Sequence, residues 1–244
     1  MRIDLEFGRD DEKEIVFPIQ YNYYIQSFLY RHISSELGKF LHDRGFVLEK
    51  RKFKMFTFSR LQGKYRVMGD KIIFYPPVHL IISSPLDRFI SELGNTILKD
   101  DNLQLANNRV HIVSMKVYPE PEMTDNIKIR MLSPVVTYST LMTPEGKKKT
   151  YYYSPYEEEF AELIDKNLRK KYEAFYKKKP RARKLKITPA GKSKEKIVKY
   201  RGTIIKGWMG YFILDGNRKL LKFAYYTGLG SKNSQGFGMF EVVE

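Results

Sequence analysis

Tyr30, His42 and the lysines at positions 50, 52 and 54 fall within a stretch of 25 residues. Each residue type is useful to a reaction that moves protons at a phosphate. An imidazole can take a proton near neutral pH. A phenol can give one, and an ammonium can hold negative charge as it develops. Cleaving an RNA phosphodiester without a metal needs those three parts. A base deprotonates the 2′-OH, an acid protonates the leaving 5′-oxygen, and a cation stabilises the phosphorane. All four histidines (His32, His42, His79 and His111) lie in the first half of the chain, so histidine chemistry has to be done there. His79 and His111 sit in strand patterns and read as structural or solvent-facing. His32 shares a helical sector with Ile25 and Phe28 and reads as packed. His42 near the helix end has two readings, a C-terminal cap favoured by the helix dipole or a reactive group.

Sets suited to metals are missing from the sequence. There is no cysteine, no His-x-x-x-His pair and no EF-hand loop. The run Glu157-Glu158-Glu159 fits the first turn of a helix, where acids suit the dipole. Neither a metal nor a cofactor is expected. No apolar run approaches the 18 or more residues of a membrane span, so no membrane is expected, and a cytoplasmic location is.

A second chemical feature lies near the end: Gly228-Leu229-Gly230-Ser231-Lys232-Asn233-Ser234-Gln235-Gly236-Phe237-Gly238. Two glycine pairs flank a polar centre that carries a lysine. Such a loop can turn successive N–H groups toward an anion, with Lys232 adding charge. It is not a dinucleotide fingerprint, because the glycine spacing differs and a strand pattern follows instead of a helix. A tight turn would explain one or two of the glycines, but four around a polar core favour backbone contact with a ligand.

Charge placement points the same way. The net charge is +16, and between Lys166 and Lys206 there are 17 Lys and Arg against 2 Asp and Glu. Nearly all the excess sits in that strip, which suits a polyanion partner. Tyr172, Phe175, Tyr176 and Tyr200 interrupt it, so it reads as folded chain.

The elements that must position these residues follow from periodicity. Residues 2–8 alternate as a strand. Ile25, Phe28, Leu29, Ile33, Leu37, Phe40 and Leu41 recur at helical spacing, with Gly45 as a stop. One unbroken helix would hold Tyr30 and His42 about 120° apart, so the two converge only if the helix ends or turns between them. A strand is expected over Lys52–Leu61, then a turn at Met68–Lys71, then a strand that Pro76-Pro77 breaks before Val78–Ser83. A helix over Pro85–Lys99 with Ser84 as its cap comes next, followed by strands up to Tyr118. Pro119-Glu120-Pro121 reads as a linker. The pattern then repeats more loosely. Strands at Ile127–Met131, Val135–Ser139 and Lys149–Tyr153 precede a helix over Tyr156–Lys178. Strands at Leu185–Ile187, Ile197–Ile205 and Trp208–Asp215 precede a short helix at Leu220–Tyr226. The fold class is α+β, with two tandem ferredoxin-like (βαββαβ) domains at 1–118 and 122–244.

Taken together, Tyr21–Tyr30, Leu41-His42-Asp43, Lys54–Ser59 and the loop Gly228–Gly238 with Met239 resemble one family. It is the CRISPR-associated endoribonucleases that cut precursor CRISPR RNA within its repeats, a branch of the repeat-associated mysterious protein (RAMP) superfamily. The glycine loop is shared across that superfamily, and the Tyr–His–Lys set resembles the nuclease branch. The resemblance implies metal-independent cleavage by 2′-OH attack, leaving a 2′,3′-cyclic phosphate and a 5′-OH. It implies Tyr30 and His42 as the acid/base pair and Lys54 as the phosphorane-stabilising cation, with Lys52 in reserve. It also implies RNA contacts from Gly228, Gly230, Lys232, Asn233, Gly236 and Gly238, and from Arg181, Arg183, Lys184 and Lys186. The expected partner is CRISPR repeat RNA in precursor transcripts. Effector-complex proteins and a second copy of the chain are further candidates. Two other readings remain: a non-catalytic RNA-binding subunit of an effector complex, which would not need His42, and a general basic nucleic-acid-binding protein.

Overall fold

The strand Arg2–Gly8 is buried along almost its whole length, because it runs inside a sheet rather than along its edge. It pairs antiparallel with His111–Val117 on one side and with Lys71–Ser83 on the other. The far side of Lys71–Ser83 carries Thr57–Phe58 and Gln62–Met68, and Ile15–Pro18 continues past the end of Arg2–Gly8. Helices α1 (Asn22–Arg31), α2 (Ser35–Lys39) and α3 (Asp87–Ile97) belong to this first half. Ile25, Phe28 and Leu29 of α1 and Phe89, Ile90 and Leu93 of α3 share one apolar core with Leu5, Phe7 and Leu80 of the sheet. The computed structural model describes residues 1–9 and 13–243. Residues 10–12, within the first expected domain, and Glu244, the end of the second, lie outside the described residues.

The second half repeats the strand order. Its sheet runs Lys186–Pro189, Tyr211–Asp215, Asn126–Met131, Phe240–Val243. Helices α4 (Glu158–Tyr176) and α5 (Arg218–Thr227) pack against it through Phe160, Ile164, Leu168, Leu221 and Ala224. Two hairpins stand outside the sheet, Tyr138–Met142 with Lys148–Tyr152, and Lys194–Tyr200 with Thr203–Met209. Among the described residues no helix is long and apolar enough to cross a membrane.

Several elements differ from the sequence pattern. Pro76-Pro77, joined by a cis peptide bond, does not end a strand, because Lys71–Ser83 runs through it. On one edge the pairing passes from Ile15–Pro18 to Arg2–Gly8 around these prolines, and on the other the register shifts between Gln62 and Lys64. Proline's missing N–H is therefore not needed there. The expected strand Lys52–Leu61 is broken into Arg51–Phe53 and Thr57–Phe58, with Met55 at φ 58° between them. Ser84 does not cap α3 directly. Its hydroxyl accepts from the Leu86 N–H at 3.0 Å and donates to the Met55 carbonyl at 2.7 Å, and the helix starts at Asp87. The expected strand at Val135–Ser139 is displaced to Tyr138–Met142, with Val135 only bridging to Trp208. Ile197–Ile205 is not one strand, because it turns back at Arg201-Gly202.

The halves interlock. Arg2 is 3% exposed, and its guanidinium lies 3.4 Å from the Tyr225 ring centroid. It donates to the carbonyls of Tyr225 at 2.6 Å and Phe240 at 2.9 Å. Burial pulls its pKa down to about 10. Met55 belongs to the second half's core, and Phe46 packs on Phe175 at 5.2 Å between ring centroids.

Candidate active site between the two halves

Helix α1 ends at Arg31, one residue after Tyr30. Buried His32 secures the end: its Nδ1 lies 2.8 Å from the Phe28 carbonyl and its Nε2 3.3 Å from Asp100 Oδ2. Ser34 then caps α2, accepting from the Leu37 N–H at 3.3 Å. A wide π-turn over Phe40–Arg44 follows. Gly45 closes it at φ 60°, where a Cβ would stand 2.6 Å from the Phe53 carbonyl oxygen, so a side chain there would be strained. The hairpin Phe46–Leu48/Arg51–Phe53 brings the chain back. Between Tyr30 and His42 the chain therefore breaks and turns, which a single helix could not do.

This path brings the Tyr30 and His42 rings to 6.2 Å, edge to face at 83°. The Lys54 ammonium donates to the His42 carbonyl. All three side chains line one cavity of about 350 Å³. The opposite wall comes from the second half: Tyr200, Arg201 and Thr203 at the hairpin tip, and Lys232, Ser234 and Gln235 of the glycine loop. Of the three lysines considered, Lys54 lines this cavity, and Lys52 lines an adjoining groove while donating to the Asp43 carbonyl at 2.7 Å. Lys50 lines neither.

The electrostatics suit proton transfer. His42 Nδ1 lies 2.7 Å from Asp43 Oδ1, and that hydrogen bond is the main cause of a lowered Asp43 pKa. An ionised Asp43 can only accept, so Nδ1 carries the proton and Nε2 is the basic nitrogen. Burial, with smaller effects from Tyr200 and Asp43, raises the Tyr30 pKa, so the phenol holds its proton. Lys54 is shifted down, chiefly by burial and then by Lys52. Among the described residues no three His, Asp or Glu side chains gather where they could hold a metal ion.

The glycine loop takes a different form from an open anion nest. The N–H groups of Leu229, Ser231, Gln235, Gly236, Phe237 and Gly238 all donate to carbonyls of the protein. Asn233 is also engaged: its Nδ2 donates to the Leu229 and Phe237 carbonyls at 2.9 and 3.0 Å, and its Oδ1 accepts from Lys171 at 3.0 Å. The glycines allow close backbone approach. A Cβ on Gly230 would stand 2.4 Å from the Val136 oxygen, and one on Gly238 would stand 2.0 Å from the Leu229 oxygen. The loop is tied to the first half by Asn22, which donates to the Gln235 carbonyl at 2.7 Å, by Gln26 to the Ser234 carbonyl at 2.6 Å, and by Thr57 to the Phe237 carbonyl at 3.0 Å. What the loop presents to the cavity is Lys232, Ser234 and Gln235.

Arg181, Arg183, Lys184 and Lys186 lie beyond the end of α4 and line neither cavity. Arg183 pairs with Asp215 at 2.5 Å, and Arg169 donates to the carbonyls of Ala182 and Arg183. Gln26 and the Tyr200–Thr203 turn complete the site; Gln26 carried no sequence signal beyond its place in the Tyr21–Tyr30 stretch, and the turn none beyond an aromatic and an arginine in the basic strip. Tyr200 donates to Gln26 Oε1, and burial pushes its pKa up to about 12.

Comparisons with known proteins converge on one family. The family model "CRISPR associated protein Cas6, C-terminal" matches residues 118–242, and "CRISPR-associated protein Cas6, N-terminal" matches 16–116. The chain is 34% identical to "CRISPR-associated endoribonuclease Cas6 1" of Methanocaldococcus jannaschii, covering 100% of this chain and 93% of the relative. It is 29% identical to "CRISPR-associated endoribonuclease Cas6" of Pyrococcus furiosus, covering 95% and 86%. A solved structure described as "CRISPR associated protein Cas6" superposes with a TM-score of 0.82 at 31% identity, covering 100% of this chain and 99% of that one. The mixed α+β architecture in two halves is thus that of known Cas6 proteins, and the chain belongs to the Cas6 family of CRISPR-associated endoribonucleases.

Proposed function

We propose that the chain is a metal-independent endoribonuclease that binds CRISPR repeat RNA and cuts it within precursor transcripts. It comprises two ferredoxin-like domains, 1–118 and 122–244, a reading supported by the matching strand orders of the two sheets. His42 Nε2 takes the proton of the 2′-OH, whose oxygen attacks the adjacent phosphorus. Tyr30 gives its proton to the departing 5′-oxygen, and Lys54 holds the charge of the phosphorane. The P–O5′ bond breaks as the P–O2′ bond forms, so the products are a 2′,3′-cyclic phosphate and a 5′-OH. The observation that carries this reading is the convergence of Tyr30, His42 and Lys54 on one cavity faced by Lys232 and Arg201. The basic strip with Arg181, Lys184 and Lys186 serves as an outlying phosphate track. Effector-complex proteins, or a second copy of the chain, are further partners compatible with this role.

The test is cleavage of a CRISPR repeat RNA in EDTA, beside a copy carrying a single 2′-deoxy nucleotide upstream of the cut. Cleavage of the all-ribose RNA alone is expected. An uncut ribose RNA would remove the enzyme reading, and a cut deoxy copy would remove 2′-OH attack.

A further inference from the structure

A second, larger cavity of about 770 Å³ lies beside the catalytic pocket, within the range of small-ligand sites. Its walls are the segment 51–56 of the first half, the hairpin residues 138–140, α4 and the glycine loop. Lys54, Lys232, Ser234 and Gln235 line both cavities. An RNA strand with a phosphate between Lys54 and Lys232 therefore places one neighbouring nucleotide on each side of that seam.

Leu163, Asn167 and Lys171 follow at four-residue intervals on α4, so they stack on one face of the helix, and all three line this larger cavity. Lys171 is committed, donating to the Gly228 carbonyl and to Asn233 Oδ1. Asn167 is not. It is 8% exposed, and its Oδ1 has no hydrogen-bond partner among the described residues. A buried amide oxygen without a donor is costly to fold, and such an atom calls for a specific explanation. Gln235 Oε1, at the seam of the two cavities, is unpartnered as well. Unfilled acceptors among cations match one ligand chemistry: a phosphate for the lysines, and a hydrogen-bond donor on the same nucleotide for the amide.

We propose that this cavity is the subsite for the nucleotide flanking the scissile phosphate, and that Asn167 selects it by accepting a hydrogen bond from a base N–H or a ribose 2′-OH. The proposal rests on reading the neighbouring pocket as the catalytic one.

The full-length protein is mixed in EDTA with a pool of single-stranded RNAs of random sequence, in one arm all-ribose and in the other partly 2′-deoxy. Retained and cleaved molecules are sequenced for wild type, Asn167→Ala, Asn167→Leu and Asn167→Asp. The expected result is a wild-type preference at one position next to the seam phosphate that falls about tenfold in Asn167→Ala and Asn167→Leu, and persists in Asn167→Asp, which keeps an acceptor. Loss of a base preference assigns the donor to the base. Loss of a deoxy penalty assigns it to the ribose. Unchanged profiles in both arms, from variants that melt as the wild type does, would overturn the proposal and leave Asn167 Oδ1 as a buried water site. Retention is read independently of cutting. A pool that is retained with the expected preference but never cleaved would sink the nuclease reading and keep the subsite.

Discussion

The Lys54 ammonium donates to the main-chain carbonyl of His42. The cation is thus tied to the backbone of the residue that carries the imidazole. On the proposed mechanism, Lys54→Ala removes the charge assigned to the phosphorane, together with the hydrogen bond to the His42 carbonyl. The expected loss in single-turnover rate is about 10²–10³-fold, the scale of losing one preorganised charge donor. A rate within a few-fold of wild type would move the cationic role to Lys232 or Arg201.

His42→Ala and Tyr30→Phe separate chemistry from binding. Each is expected to slow cleavage by about 10²–10⁴-fold while a filter-binding Kd for the repeat RNA stays near wild type. A large loss of affinity with His42→Ala would show that the imidazole holds RNA instead. Asp43→Asn tests the tautomer argument. An Asn side chain can present either a donor or an acceptor to Nδ1, so the rate should fall, but by less than in His42→Ala.

Lys171 is 2% exposed, and burial pulls its pKa down to about 7. The unfolded chain binds this proton up to about pH 10. Between these values the unfolded state carries more protons, so this group makes stability rise with pH. Below about pH 7 both states are charged, and the burial penalty is fully felt. Lys171→Met should abolish a pH-dependent gain of up to about 1.4 kcal/mol per pH unit between pH 7 and 10. Urea melts of both proteins across that range check it. Parallel pH profiles would show that Lys171 is not desolvated.

Gly238→Ala places a Cβ 2.0 Å from the Leu229 oxygen at a residue with φ 78°. The cost should exceed about 2 kcal/mol, seen as a fall of several degrees in Tm. Gly146, where a Cβ meets nothing within 4 Å, is the control, because its Ala variant carries only the positive-φ penalty.

RNA affinity should fall steeply with salt. If the seam lysines and Arg201 neutralise about three phosphates, log K against log salt has a slope near −2 for a single strand. A flat profile would argue against phosphate contacts in the cleft.

Much of this arrangement was legible in the sequence. Helical spacing of Ile25, Phe28 and Leu29, alternation in the sheet strands and the Pro119–Pro121 punctuation carry the order of elements, because each reports burial of one face. Tyr30 and His42 were legible as residue types, and Gly45 hinted at the turn that joins them. Their meeting was not legible, since it depends on a helix break at His32 and a π-turn that no local periodicity encodes. The glycine loop was legible as unusual but not in its detail. Its amides could have faced a ligand or the protein, and that depends on contacts with Val136 and Pro134, about a hundred residues away. Asn167 gave no signal, and Gln26 none beyond its place in the Tyr21–Tyr30 stretch, because an amide on a helix looks the same whether it faces solvent or a cleft.

The buried Arg2 bears on how the enzyme would handle its substrate. Its guanidinium belongs to the first strand, and the carbonyls to which its two terminal nitrogens donate belong to the second half. Swinging the halves apart about the proline linker would strand that charge, so the walls of the cleft move as one body. On the proposed function the molecule then works as an anvil and not as a jaw: a repeat RNA has to bend to fit the slot, and its own flexibility becomes part of what the slot selects.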